Sequence, residues 1–202
     1  MMMSGVILAG GNHPRMNGRN RAFLEVDGEI MLHRQIREMQ TCCSEITIVT
    51  NDPQPLLRIV DRDIRIITDY FIGHGLLSGM HAGLALARHR HVWLLGCHMP
   101  FPSADAAKLL LTQLQEGLDA VIPWVKGKAY PLHGVYDRSS AEPIEKLLKG
   151  GYSSKSALLN QIKWQRGSEW FFQENGIQSG FVQSIQTEED YERIVRSTMK
   201  SC

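Results

Sequence analysis

Short apolar runs recur along the chain and alternate with stretches of helical period. Val6-Ile7-Leu8 is continuous and stops in Gly10-Gly11, as a buried strand does when it closes in a glycine turn. Phe23-Leu24-Glu25-Val26 leads into the turn pair Asp27-Gly28. Met31, Leu32, Ile36 and Met39 then keep to one face, which predicts a helix over residues 30–40. The β-branched run Glu45 to Thr50 ends at Asn51-Asp52-Pro53 and reads as strand then loop. Arg65 to Thr68 is a third strand, closing on Asp69. Gly73 to Gly79 reads as a glycine-rich loop, with a helix following from Met80 to Arg88. His91 to Gly96 is a fourth strand, apolar enough to be central.

Beyond Pro102, Ser103-Ala104-Asp105 opens a helix carrying Leu109, Leu110 and Leu114, with Asp105 expected to cap it rather than bind metal. Asp119 to Ile122 is a further strand. Helices are predicted over Ile144–Leu148, Ser156–Ile162 and Glu188–Thr198, the last opened by Thr187 with acids in its first turn. Trp164, Trp170, Phe171 and Phe172 form an aromatic cluster in a weakly patterned segment, suited to core packing or to a partner surface.

Strands alternating with helices imply an α/β fold with a mainly parallel central sheet. No repeat, low-complexity tract or linker divides the chain, so residues 1–202 read as one domain. Ligands of such sheets bind at the carboxyl ends of the strands. That rule gathers Leu8 to Gly11, Thr50-Asn51, Asp69 and Gly96 to Met99 along one edge.

Composition narrows the class of partner. The chain is 43% hydrophobic and 21% charged with a net charge of +1, an ordinary globular balance that argues against a nucleic-acid binder. No apolar run reaches the ~20 residues of a membrane helix, and no secretory signal opens the chain. Cys42, Cys43, Cys97 and Cys202 lack metal or redox spacing and read as reduced thiols, so the expected compartment is the cytoplasm.

The glycine turn carries the candidate chemistry. Arg15, Arg19 and Arg21 follow Gly10-Gly11 with no carboxylate before Glu25. Glycines let backbone N–H groups approach and cradle phosphate oxygens, and guanidinium forks match phosphate geometry. Neither the P-loop nor the dinucleotide fingerprint is present.

Leu8-Ala9-Gly10-Gly11 with Arg15-Met16 and Arg21, then Leu77-Ser78-Gly79-Met80, then Cys97-His98-Met99-Pro100-Phe101 resemble the molybdenum cofactor guanylyltransferase family. The likeness extends through Pro131 to Tyr136 and to Thr187-Glu188-Glu189-Asp190. It implies a Rossmann-like three-layer nucleotidyltransferase fold. The implied activity is transfer of GMP from GTP to the phosphate of molybdopterin, with Mg²⁺ as cofactor and molybdenum cofactor assembly enzymes as partners. By the resemblance, Leu8, Ala9, Gly10 and Gly11 contact the nucleotide, Asn51 and Asp69 complete the guanine site, and Arg15 and Arg21 balance charge on the leaving pyrophosphate.

Two positions depart from the family pattern. Arg21 stands where the family has a lysine, and His98 where it has the aspartate that binds Mg²⁺. Asn17 and Asn20 also differ from the common Gly and Asp. Mg²⁺ takes oxygen ligands, which an imidazole does not offer. His98 is then a ligand for a softer ion such as Mn²⁺ or Zn²⁺, a protonated stand-in for metal charge, or the mark of a homologue that binds nucleotide and turns over poorly. Asp69 is the nearest remaining carboxylate for a metal, or a strand-end turn residue. A CTP- or sugar-phosphate-using enzyme on the same scaffold is the alternative activity. His74 and His81 bracket the second glycine segment without zinc-ligand spacing.

Overall fold

A computed structural model describes residues 2–10, 16–71 and 75–199. The strands are β1 (Met3–Leu8), β2 (Glu25–Val26), β3 (Glu29–Ile30), β4 (Cys43–Val49), β5 (Arg65–Ile67), β6 (His91–Gly96), β7 (Ala120–Val125), β8 (Lys128–Ala129), β9 (Val135–Asp137) and β10 (Trp164–Ser168). The helices are α1 (Met31–Gln40), α2 (Gly75–Ala85), α3 (Ala104–Gln113), α4 (Ala141–Lys149), α5 (Lys155–Gln161), α6 (Glu169–Glu174) and α7 (Glu188–Met199).

Eight strands form one sheet in the order β10-β7-β9-β6-β1-β4-β5, with β8 hydrogen-bonded to β7. β6, β1, β4 and β5 are mutually parallel, and β9 runs antiparallel to both its neighbours. Every residue of β1 is buried, which explains its unbroken apolar run: a central strand covered on both sides has no polar face. Its neighbours along the chain show the two coverings. A Cβ at Gly5 would meet Met39 of α1, whereas Val6 faces Gly83 of α2. Successive strand residues point to opposite faces, so α1 and α2 sandwich the sheet in a three-layer α/β fold.

The second glycine segment differs from the sequence expectation. Residues 72–74, His74 among them, lie outside the described residues; from Gly75 onward the segment is helix α2, which ends at Ala85 rather than Arg88. Gly79 and Gly83 are helical residues that let α2 lie close against β1. A Cβ at Gly83 would sit 2.4 Å from Cγ1 of Val6, and one at Gly79 3.5 Å from Cδ2 of Leu8. Close packing, not a turn, is the reason for these glycines.

The start of α3 is also corrected. Ser103, not Asp105, is the cap, its hydroxyl accepting from the Ala106 amide. Asp105 sits in the first turn, exposed, and pairs with Lys108. The aromatic segment resolves into β10 and α6. There Phe172 is fully buried against Phe181, with ring centroids 4.8 Å apart, while Trp170 remains 65% exposed. The thiols of Cys42 and Cys43 lie 3.8 Å apart, in hydrogen-bond contact and not joined by a disulfide.

A smaller core lies beyond the main one. Met16, Leu24, Val26 and Met31 pack with Ile185 and Ile194 of the C-terminal segment. Tyr191 donates its hydroxyl to the Glu25 carbonyl at 2.9 Å, and Arg19 pairs with Glu188 while lying over the Tyr191 ring. Thr187 and Asp190 cap α7 reciprocally: the Asp190 amide donates to the Thr187 hydroxyl, and the Thr187 and Gln186 amides donate to the Asp190 carboxylate. The C-terminal helix is thereby tied to the segment that carries Arg21.

Candidate nucleotide site

Strand register levels the site. Leu8 pairs with Val49 on one side and Gly96 on the other, and Val49 pairs with Ile67. The four carboxyl ends therefore stop along one line. A cavity of about 290 Å³ opens there, lined by Leu8, Gly10, Thr50, Asn51, Asp69, Cys97 and His98 from those ends. Arg21, Lys155 and Gln186 reach it from elsewhere in the chain.

Leu8 and Gly10 line the cavity. Ala9 does not. Its amide is spent on the Val49 carbonyl at 2.9 Å, its carbonyl accepts from the Thr50 hydroxyl at 3.5 Å, and it is buried. Its role is to carry the sheet ladder one step past the strand. Gly11 and Arg15 lie outside the described residues.

Sheet order polarises the pocket. Asn51 and Asp69 follow β4 and β5 on one side of β1, and His98 follows β6 on the other. The Asn51 amide donates to Asp69 Oδ2 at 3.4 Å, giving that end donors and acceptors suited to a base edge. The opposite end is cationic. Arg21 donates to the Gln186 side-chain oxygen at 2.9 Å and to the Ile185 carbonyl at 3.3 Å. Burial lowers the pKa of the Lys155 ammonium, and the nearby Arg21 charge lowers it further. Burial also lowers that of Arg21. Among the described residues no carboxylate pairs with Lys155, so it faces the pocket beside a like charge, an arrangement an anion would relieve.

His98 is held by its backbone and by what its ring covers. Its carbonyl accepts from the Ile185 amide at 2.8 Å. Its imidazole folds back on the end of β6, so a Cβ at Gly96 would lie 2.4 Å from His98 Cε1. Gly96 is what leaves room for the ring. The turn is pinned from below by Gln35 of α1, fully buried, whose amide donates to the Gly96 and Met99 carbonyls at 3.1 and 2.8 Å. Neighbouring Cys97 is buried and its thiol is pushed up to about 11.

Sequence reasoning missed Gln35, Lys155 and Gln186. Gln35 had a signal, being a polar residue on the apolar face of α1. Lys155 and Gln186 had none, because only the fold brings α5 and the C-terminal segment to the strand ends. His81 packs edge-on to Phe71, with ring centroids 5.3 Å apart. Asn20 caps the helical turn that begins with Arg21, accepting from the Ala22 amide at 3.0 Å.

A Rossmann-like sheet with a polar pocket at its level strand ends, cationic on one side, is the architecture of a nucleotide-binding α/β protein. Comparison with known proteins narrows this. Residues 5–165 match the MobA-like NTP transferase domain, and the chain belongs to that family. A molybdenum cofactor guanylyltransferase of Desulfosudis oleivorans is 33% identical over 167 residues, covering 83% of this chain and 81% of that protein. A probable molybdenum cofactor guanylyltransferase of Clostridium perfringens is 31% identical over 145 residues, 72% of this chain and 71% of that protein. Among solved structures, molybdopterin-guanine dinucleotide biosynthesis protein A of Archaeoglobus fulgidus superimposes with a TM-score of 0.81 at 20% identity, covering 98% of this chain and 99% of that one. No helix among the described residues is long and apolar enough to cross a membrane.

Proposed function

We propose that this site transfers GMP from GTP to the terminal phosphate of molybdopterin, forming molybdopterin guanine dinucleotide and releasing pyrophosphate. The observation that carries the reading is the polarised pocket, with an amide–carboxylate pair at one end and two cations at the other. The family membership and the names of its relatives support it.

In this reading Asn51 and Asp69 meet the base. At that end the Asp69 carboxylate accepts and the Asn51 amide donates, and guanine offers an N1–H donor that cytosine lacks. Leu8 and Gly10 form the wall along which the ribose and phosphates lie. Arg21 and Lys155 face the phosphates. A phosphate oxygen of molybdopterin attacks the α-phosphorus of GTP, the bond to the β-phosphate oxygen breaks, and the electron pair leaves with pyrophosphate. The chain contributes alignment and fixed positive charge where negative charge accumulates. Gln186 and the Ile185 carbonyl hold the Arg21 fork in place, so the charge needs no reorganisation. Arg15 belongs to the same phosphate role by its position in sequence.

Thermal protection tests base choice: GTP raises the melting temperature and CTP does not. Pyrophosphate release with GTP and molybdopterin tests the reaction. Protection by CTP equal to that by GTP would remove the guanine assignment, and release independent of molybdopterin would remove the acceptor.

A further inference from the structure

The donor set around the pocket is a poor match to a hard dication. Mg²⁺ sits in near-ideal octahedral oxygen surroundings, usually with one or two carboxylates beside the substrate phosphates. Asp69 is the one carboxylate among the described lining residues; at the base end of the pocket its Oδ2 accepts from Asn51, while its Oδ1 is buried away from the open cavity. At the other end the strand terminus presents the His98 imidazole, which has nitrogen where oxygen is required. Among the described residues no group of three His, Cys, Asp or Glu side chains is placed to hold a metal ion.

Positive charge is supplied instead by the chain. Arg21 comes from the turn after Asn20, and Lys155 opens α5 directly after its Ser154 cap. Both line the same cavity, with no carboxylate paired to Lys155 among the described residues. A bound dication would add repulsion to this pair, whereas a bare polyphosphate would neutralise it.

We infer that this pocket binds its nucleoside triphosphate as the metal-free polyanion, with Arg21 and Lys155 taking the place of the metal in neutralising the phosphates. The inference rests on the nucleotide reading of the site and concerns which ionic form of the nucleotide is taken.

Equilibrium binding tests it without turnover. Calorimetric titration of the full chain with GTP, in EDTA and then in excess Mg²⁺, is expected to give an apparent dissociation constant about tenfold or more weaker in Mg²⁺, which ties up the free polyanion. Lys155→Gln is expected to weaken binding in EDTA about tenfold or more, the scale of one charge-assisted contact. His98→Asp places a carboxylate at the strand end. It is expected to weaken binding in EDTA and to recover with Mg²⁺, so that the variant becomes metal-dependent where the parent is not. Circular dichroism confirms that each variant is folded. Wild-type binding in Mg²⁺ as tight as in EDTA, or tighter, would overturn the inference while leaving the nucleotide site standing. An unchanged Mg²⁺ response in His98→Asp, or unchanged binding in Lys155→Gln, would also overturn it. Absence of GTP binding in both conditions would refute the nucleotide reading itself, and this inference with it.

Discussion

Acid should destabilise this protein through one buried imidazole. His133 is fully buried, between Trp93 and Phe181 with ring centroids 5.2 and 4.8 Å away. Its Nε2 accepts from the Ser103 amide at 3.2 Å at the cap of α3, which requires the neutral ring with its proton on Nδ1. No partner reaches Nδ1 among the described residues. Burial pulls the pKa down from 6.5 to about 4. The unfolded chain therefore binds a proton as pH falls through 6.5, and the folded chain resists until about 4. Stability is complete above the upper value and is lost progressively between the two. From that pair of values the linkage relation gives a loss of about 2 kcal/mol between pH 7.5 and pH 5, approaching about 3.4 kcal/mol at lower pH. His133→Gln keeps a side-chain oxygen to accept from Ser103 and does not titrate. Urea unfolding of both proteins across this range cancels the contributions of all other groups. Wild type should lose about 2 kcal/mol more than the variant between pH 7.5 and 5; parallel profiles would show that His133 is not the buried neutral group described.

Three further outcomes follow from packing and capping. Gly83→Ala places a methyl 2.4 Å from Val6 Cγ1. Overpacking should outweigh the roughly 1 kcal/mol gain in helix propensity and give a net loss of about 1–2 kcal/mol in urea unfolding; a more stable variant would show that α2 can move off the sheet. Gln35→Met keeps the volume but strips the Met99 carbonyl of its side-chain donor and leaves the Gly96 carbonyl with the Met99 amide alone. It should cost about 1–3 kcal/mol and weaken GTP binding, because the turn bearing His98 loses its support; a loss of stability with unchanged binding would separate the two. Thr187→Ala removes one half of the α7 cap and should cost about 1 kcal/mol. Amide exchange should rise first in residues 188–191, and exchange confined to the far end of α7 would contradict the cap assignment.

The sequence by itself determined the sheet and the line along which the site lies. A strand buried on both faces carries few polar side chains, so β1 and β6 were written around short hydrophobic runs, and β4 around a β-branched one. The polar or glycine residues ending them marked Leu8, Asn51, Asp69 and His98 before any contact was known. Local chemistry was equally legible at Asp27-Gly28, where both residues adopt positive φ, and at Thr187 opening α7. Glycine was ambiguous, because the same residue serves a turn and a close helix–sheet approach. Gly79 and Gly83 therefore read as loop and flank until Leu8 and Val6 were seen opposite them. β9 and β10 were too short or too irregular to announce themselves, being set by pairing with distant strands. The electrostatics of the pocket belong wholly to tertiary structure. Lys155 and Gln186 lie far in sequence from Arg21, and their spacing encodes nothing about it. Only the packing of α5 and the C-terminal segment against the strand ends puts two cations in one cavity. A side chain's local pattern reports which face it occupies, whereas its charge acts on whatever the fold brings within a few ångströms.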